Sequence, residues 1–277
     1  MPVIRIGDSG DERLGDYRGV SDPGLAARSG RFIAEGRLVV RRLLAASTFT
    51  TRSVLVTEPG LAALGDALAL QPGVPVFLVP QDVMTGITGF HIHRGCLAIG
   101  ERPVPISWRD VVSGPRIRKP KTQVPTVIAV LERVANADNV GGVFRSAAAF
   151  GAGGVLLDPV STDPLYRKAI RTSMGAALQV PFARAEPWPG ALRELRAHGL
   201  AVVAMTPAPA APTLREVVHA LAGRGAAIVL GHEGEGLTAE ALAACEYRAR
   251  IPIGAAVDSL NVAVAAAIAL YEFSRIR

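Results

Sequence analysis

The stretch TVIAVLERVANADNVGGVFR, residues 126–145, opens with an unbroken apolar, β-branched run, turns polar, and then regains apolar residues at helical spacing. A short apolar run bounded by turn residues is the pattern of a strand buried on both faces. The strand is predicted at Thr126–Leu131. Residues 136–145 (NADNVGGVFR) read as a loop entering a helix. Asn139 is placed to cap that helix, and Gly141 and Gly142 leave room for a ligand to approach the backbone. Arg145 then stands about one turn inside, its side chain reaching back towards the loop.

Working outward, the same alternation recurs to the end of the chain. Further strands are predicted at Gly154–Leu157, Gln179–Phe182, Leu200–Met205, Ala226–Leu230 and Tyr247–Ile251. Helical stretches lie between most of them, at 142–150, 165–171, 190–198, 214–221 and 238–244. Buried strands alternating with helices predict an α/β domain: a mostly parallel sheet covered on both faces, with its ligand beyond the carboxyl ends of the strands. The last segment, 261–273, is apolar around nearly its whole circumference, more than one sheet face requires. A second buried surface is expected there, and a subunit interface is the natural candidate.

The first hundred residues have a different texture. Residues 32–44 (FIAEGRLVVRRLL) carry apolar residues at helical spacing, and 53–57 and 74–79 are short β-branched runs bounded by Pro and Gly. Residues 86–97 (GITGFHIHRGCL) read as a loop entering a final strand. Pro103, Pro105, Gly114, Pro115 and Pro120 then punctuate a segment without periodicity. The expected organisation is a small N-terminal α/β domain over 1–110, a linker over 111–123, and the larger α/β domain over 124–277.

At 277 residues the chain is long enough for two cores, and its 49% hydrophobic and 19% charged residues are those of a folded globular protein. No apolar run reaches the roughly 20 residues that span a bilayer, and no secretory leader opens the chain, so a cytoplasmic protein without a membrane partner is expected. Cys96 and Cys245 lack metal-ligand or disulfide spacing, and no metal is called for. The net charge of +6 is unevenly placed. Residues 1–110 hold 12 Lys/Arg against 11 Asp/Glu, residues 111–123 hold 4 against none, and residues 124–277 hold 14 against 13. The excess sits on Arg116, Arg118, Lys119 and Lys121. A basic segment beside a folded domain suits a polyanion such as RNA, although charge alone is equally that of a solvated linker.

Two further loops follow predicted strands. Residues 231–236 (GHEGEG) make a flexible, glycine-rich surface around Glu233 and Glu235. Residues 252–261 (PIGAAVDSLN) end by capping the last helix through Asp258 or Ser259. Taken singly, each residue in these loops has a structural explanation; their joint appearance at neighbouring strand ends favours a site. A nicotinamide-binding unit would need G-x-G-x-x-G directly after its first strand, and residues 132–142 (ERVANADNVGG) lack it. Asp158, at the end of the second strand, is the only support for that alternative. No P-loop, H-E-x-x-H or G-x-S-x-G motif is present.

The three loops resemble the signature motifs of the SpoU (TrmH) family of RNA 2′-O-ribose methyltransferases, within the SPOUT class. Asn139, Gly141 and Arg145 match N-x-G-x-x-x-R. Gly231, Glu233, Gly236 and Leu237 match G-x-E-x-x-G-L, and Ile251, Pro252, Ser259, Leu260 and Asn261 match I-P through S-L-N. Ile253 departs from the Met of many relatives. Residues 28–100, through RFIAEG (31–36) and GFHIHRGCLA (89–98), also look like the ribosomal-protein-like domain that precedes the catalytic domain in the family's ribosomal-RNA enzymes. The resemblance implies a C-terminal trefoil knot, a homodimer formed through the catalytic domain, S-adenosylmethionine as cofactor and RNA, ribosomal by analogy, as substrate. It implies catalytic roles for Arg145, Asn139, Glu233, Ser259 and Asn261. The cofactor would be held by Gly231, Ile251, Leu260, Thr206, His232, Ile253 and Ser259. RNA contacts are expected at Arg31, Arg41, Arg94, Arg116, Arg118, Lys119, Lys121 and Arg171, with Arg42 and Ser173 as further candidates.

Methyl transfer to a ribose needs the hydroxyl in line with the methyl carbon and its proton removed; positioning alone can contribute about 7–11 kcal/mol. The family's mechanism makes the arginine the base. A guanidinium stays protonated in proteins, so Arg145 can instead hold the adjacent phosphate and stabilise the developing alkoxide, with Glu233 as the other candidate base if it is buried. Transfer RNA as the substrate, a nicotinamide-dependent oxidoreductase and a non-catalytic RNA-binding protein remain as alternatives.

Overall fold

The apolar run 32–44, whose spacing predicts one helix, is divided by Gly36 in the computed structural model, which describes residues 2–18, 30–46, 48–89, 95–114 and 126–275. The chain there begins with β1 (Val3–Arg5) and a 3₁₀ turn at Glu12–Tyr17, and residues before the glycine form β2 (Arg31–Glu35) while those after it form α1 (Arg37–Ala45). Gly36 stands at φ 90°, a conformation that favours glycine, and so turns strand into helix. The ladder that makes 31–35 a strand is non-local: Phe32 pairs with Gly100 and Ala34 with Ala98. The chain continues through β3 (Thr50–Val56), α2 (Glu58–Leu68), β4 (Val76–Leu78), α3 (Gln81–Thr88) and β5 (Cys96–Glu101). The helix at 81–88 stands where a loop is predicted from residue 86.

These strands form a mixed five-stranded sheet in the order β1-β4-β3-β5-β2. Strands β1, β3 and β4 run parallel, while β5 pairs antiparallel with both β3 and β2. Its core includes Leu14, Tyr17, Ile33, Leu55, Phe77, Met84 and Leu97. The Tyr17 hydroxyl meets Ser53 Oγ at 2.8 Å, and burial pushes its pKa well above the usual phenol range.

The rest of the chain runs α4 (Trp108–Ser113), β6 (Val127–Leu131), α5 (Ala137–Ala149), β7 (Gly154–Leu157), α6 (Arg167–Thr172), β8 (Phe182–Arg184), α7 (Gly190–Ala197), β9 (Ala201–Met205), α8 (Leu214–Ala220), β10 (Ala226–Leu230), α9 (Ala239–Ala244), β11 (Tyr247–Ala249) and α10 (Val262–Ser274). The chain divides into two compact units, Met1–Val104 with Pro164–Gln179, and Pro105–Asp163 with Val180–Arg277. Segment 164–179, which the alternation of strands and helices groups with the larger domain, packs with the first unit. The expected linker begins inside α4, where Val111 and Val112 are buried. Its basic residues lie outside the described part of the chain.

Strands β6 to β11 form one parallel sheet in the order β11-β9-β10-β6-β7-β8. Side chains alternate across it: Ile128, Val130, Val202, Ala204, Ala227 and Val229 face a core with Trp108, Leu192, Leu195 and Ala241 from α4, α7 and α9. Helices α5 and α10 contact β6 on the other face, and α8 packs on α10. The sheet is therefore covered on both sides, as its apolar central strands β6, β7, β9 and β10 require. Residues 154–157 and 226–230 form strands with the predicted bounds. The predicted strand at 179–182 starts later, at Phe182, because Ala176–Leu178 is a 3₁₀ turn and the ladder is entered through the Pro181 carbonyl, which accepts from Val155 N at 2.9 Å. Among the described residues, no helix is long and apolar enough to cross a membrane.

Candidate active site

Strand β6 ends at Leu131 and is followed by Glu132, 1% exposed. A carboxylate so deeply buried needs partners. It has three donors: Trp188 Nε1 at 2.8 Å, Thr238 N at 2.9 Å and Thr238 Oγ1 at 2.7 Å. Glu132 thereby ties the end of β6 to the far end of the loop that follows β10. Arg133, at φ 58°, turns the chain away and reaches Glu235 of that loop at 2.7 Å.

The α5 N-cap is Asn136, whose side chain accepts from Asp138 N at 2.9 Å. Asn139, expected to be that cap, lies in the first turn instead, 8% exposed. Its Oδ1 accepts from Asn261 Nδ2 at 2.8 Å. Asn261, rather than Asp258 or Ser259, caps α10: its Oδ1 accepts from Ala263 N at 2.9 Å and Val264 N at 3.3 Å. One side chain therefore closes the last helix and grips the first loop. The glycine at 142 lets the two helices pack closely; a Cβ there would stand 2.7 Å from Ala263 Cβ.

The loop 231–236 is closed on itself, contrary to the flexible surface expected. His232 and Gly236 form an antiparallel bridge, and His232 Nδ1 accepts from Gly234 N at 3.0 Å and Glu235 N at 3.2 Å. A Cβ on Gly231 would lie 2.5 Å from the Gly236 carbonyl carbon, so only glycine fits there. Glu233 is exposed, and the condition of burial for a base role is not met in the single chain.

Around this loop lies a pocket of about 410 Å³ at the carboxyl ends of β9, β10 and β11. All seven residues named for the cofactor line it: Thr206, Gly231, His232, Ile251, Ile253, Ser259 and Leu260. Glu233 lines it too. Asn139 and Asn261 form their own pair, and Arg145 is exposed on α5 with no hydrogen-bond or ion-pair partner among the described residues. Leu237, named above only as a motif position, is part of the wall; sequence reasoning missed Leu242 and Met205 beside it, and Glu132, Trp188 and Thr238. An acid directly after a fully apolar strand was the available signal for Glu132.

The remaining expectations divide. Asp158 is buried, and its Oδ1 accepts from Ser161 N at 2.8 Å while its carbonyl accepts from Arg184 at 2.6 Å. It is a turn residue, which removes the support for a nicotinamide site. Arg31 is paired with Asp16, and Arg41 makes two bonds to Asp66 at 2.6 and 2.7 Å. Ser173 is fully buried, donating to Ile170 O and accepting from Ala177 N, so it offers nothing to a phosphate. Arg171 is exposed. Arg94, Arg116, Arg118, Lys119 and Lys121 lie outside the described residues.

Residues 126–271 match the model of the SpoU rRNA methylase family. An uncharacterised tRNA/rRNA methyltransferase of Mycobacterium tuberculosis is 42% identical over 279 residues, covering 99% of this chain and 93% of the relative. Among solved structures, an S-adenosylmethionine-bound rRNA methyltransferase from Sinorhizobium meliloti is 26% identical with a TM-score of 0.79, over 99% of this chain and 98% of that one. An RNA 2′-O ribose methyltransferase is 28% identical with a TM-score of 0.75, over 98% of each chain.

Proposed function

Since the chain belongs to the SpoU rRNA methylase family of RNA methyltransferases, we propose that it transfers a methyl group from S-adenosylmethionine to a ribose 2′-hydroxyl of ribosomal RNA, and that it works as a homodimer. The observation that carries this reading is the convergence of three loops, far apart in sequence, on one sheet edge. The second and third line the pocket, and the third is bonded to the first through Asn261 and Asn139. The full-length likeness to a ribose 2′-O enzyme and to an rRNA enzyme supports the choice of atom and of RNA.

The pocket suits the cofactor. Its volume lies in the range of small-molecule sites, roughly 300–1,000 Å³. Leu230, Leu237, Leu242, Ile251, Leu260 and Val262 offer an apolar wall for an adenine ring, and Thr206, Ser259 and the backbone of 231–236 offer polar groups for the ribose and the amino-acid end. When bound, the cofactor supplies a sulfonium-activated methyl group. The protein supplies position: Asn139 and Asn261 hold the first and third loops in register, and the self-bonded loop 231–236 keeps Glu233 at the rim of the pocket. The Arg145 guanidinium holds the phosphate beside the target nucleotide and stabilises the oxygen as its proton leaves. Glu233 is the carboxylate available to accept that proton, and closure by RNA supplies the desolvation that the single chain lacks.

Helix α10 supports the dimer. Val264 and Tyr271 on it are each 47% exposed, although the helix is almost wholly apolar. A second copy would cover them.

The test is transfer of labelled methyl to ribosomal and transfer RNA from a strain lacking the protein, followed by digestion and mass spectrometry. A 2′-O-methylnucleoside from ribosomal RNA is expected. Label on a base, or on transfer RNA alone, would overturn the choice of atom or of substrate.

A further inference from the structure

Five of the described arginines of the first unit are neutralised by acids of its N-terminal segment. Arg5 pairs with Glu58, Arg13 with Asp11, Arg31 with Asp16, Arg41 with Asp66, and Arg52 with both Asp16 and Glu101. The turn from β2 to α1 is different. Glu35 there faces Arg167 at 2.7 Å and Arg171 at 4.0 Å, two residues of α6 brought from more than a hundred positions away. Arg37, two residues after Glu35, is exposed and has no hydrogen-bond or ion-pair partner among the described residues. Arg42, on the same helix, donates from Nη1 to the Met174 carbonyl at 2.7 Å. The turn after α6 is pressed against that side chain, since a Cβ on Gly175 would stand 3.1 Å from Arg42 Cδ.

Arg167, Arg171 and Arg42 thus stand at a corner where one carboxylate, Glu35, is engaged, and the exposed Arg37 follows that carboxylate by two residues. Glu35 is 14% exposed and Arg167 15%, so this inner pair is largely withdrawn from solvent, while Arg171 is 51% exposed. The inner pair acts as a base plate and the outward cations are left to a partner. We propose that this corner, through Arg37, Arg42 and Arg171, docks the sugar–phosphate backbone of the substrate RNA. Guanidinium forks match phosphate oxygens in geometry as well as charge, and such contacts set the register of a nucleic acid without reading its sequence. The assignment rests on the proposed function. It also moves the RNA-binding face away from Arg31 and Arg41, whose charge is spent on Asp16 and Asp66.

The experiment measures affinity for labelled ribosomal RNA fragments against salt concentration for the full chain, for Arg37→Gln with Arg171→Gln, and for Arg13→Gln as a control of the same kind of charge change. Each phosphate that a variant no longer neutralises lowers the slope of log affinity against log salt by about 0.7–0.9, so the double variant should be flatter by about 1.4–1.8 and the control unchanged. Arg171→Gln alone, which keeps the Glu35–Arg167 pair, should show about half of that change. S-adenosylmethionine affinity, followed by calorimetry, should be the same in all. A double variant whose slope equals that of the unmodified protein overturns the docking surface while leaving RNA methylation standing. An unmodified protein without salt-dependent RNA affinity overturns the functional reading itself, and this surface with it.

Discussion

Asn261 Nδ2 donates to Asn139 Oδ1 at 2.8 Å, joining two residues 122 positions apart, and the same Asn261 side chain caps α10 through its oxygen. Helix termination, loop register and the edge of the pocket therefore depend on one amide.

Replacing Asn261 separates these roles. Asn261→Ala removes a cap worth about 1 kcal/mol and leaves the buried Asn139 oxygen without its donor, at a further cost of about 1–3 kcal/mol. Asn261→Ser restores the cap but not the link. Urea denaturation should place the serine variant between the alanine variant and the original protein. Methyl transfer by the serine variant should still fall, on the order of 100-fold. Full activity in Asn261→Ser would show that the link to Asn139 does not matter to the reaction.

Gly142→Ala should destabilise the fold by about 1 kcal/mol. The gain in helix propensity, about 1 kcal/mol, opposes an overpacking cost of about 1–3 kcal/mol, because the new Cβ would stand 2.7 Å from Ala263 Cβ. Adding Ala263→Gly should recover most of the loss. A stabilised single variant would show that α5 and α10 shift apart freely.

Glu132→Ala leaves Trp188 Nε1 and two donors of Thr238 without their acceptor. A loss of about 3 kcal/mol is expected, with weaker S-adenosylmethionine binding because the loop 231–238 loses its anchor. Glu132→Gln, which keeps an acceptor oxygen, should lose less of both. Thermal melts paired with calorimetry check this; equal effects from both replacements would deny the carboxylate its anchoring part.

Arg145→Ala should lower turnover by more than about 100-fold while cofactor affinity stays nearly intact, because Arg145 lies outside the pocket lining. Isothermal calorimetry decides it: cofactor binding abolished together with turnover would refute a role confined to the RNA side.

Burial, with Glu132 nearby, pushes the Cys245 thiol up to about 12. The thiolate is the reactive form, and it is scarce at neutral and mildly alkaline pH. Cys245 should therefore resist alkylation in the folded protein at mildly alkaline pH and become labelled only on unfolding. Rapid labelling of the native protein, read by mass spectrometry of the peptide, would contradict the buried environment.

Much of the larger sheet was legible from residues alone. The strands at 154–157 and 226–230 are apolar on both faces, and that pattern is local. The motif loops were legible for the same reason, since each follows a strand end. What a side chain does at those loops was less so. Asn136 and Asn139 are both plausible caps by composition, and only the approach of Asn261 shows that the second is turned to another task. Asp158 stands where a ribose-binding acid could, yet Ser161 folds back onto it.

The linear chain determined that alternating buried strands and helices would form a parallel sheet with glycine-rich and polar turns at the carboxyl ends of its strands, because burial pattern and turn chemistry are written in neighbouring residues. The tertiary structure alone decided that residues 31–35 pair as a strand with 97–101, that Arg31 and Arg41 are spent on acids while Arg37 and Arg171 are left outward, and that Glu132 braces the loop after β10. Each of those outcomes depends on a partner many positions away, and pairing at that distance is set by packing rather than by local sequence.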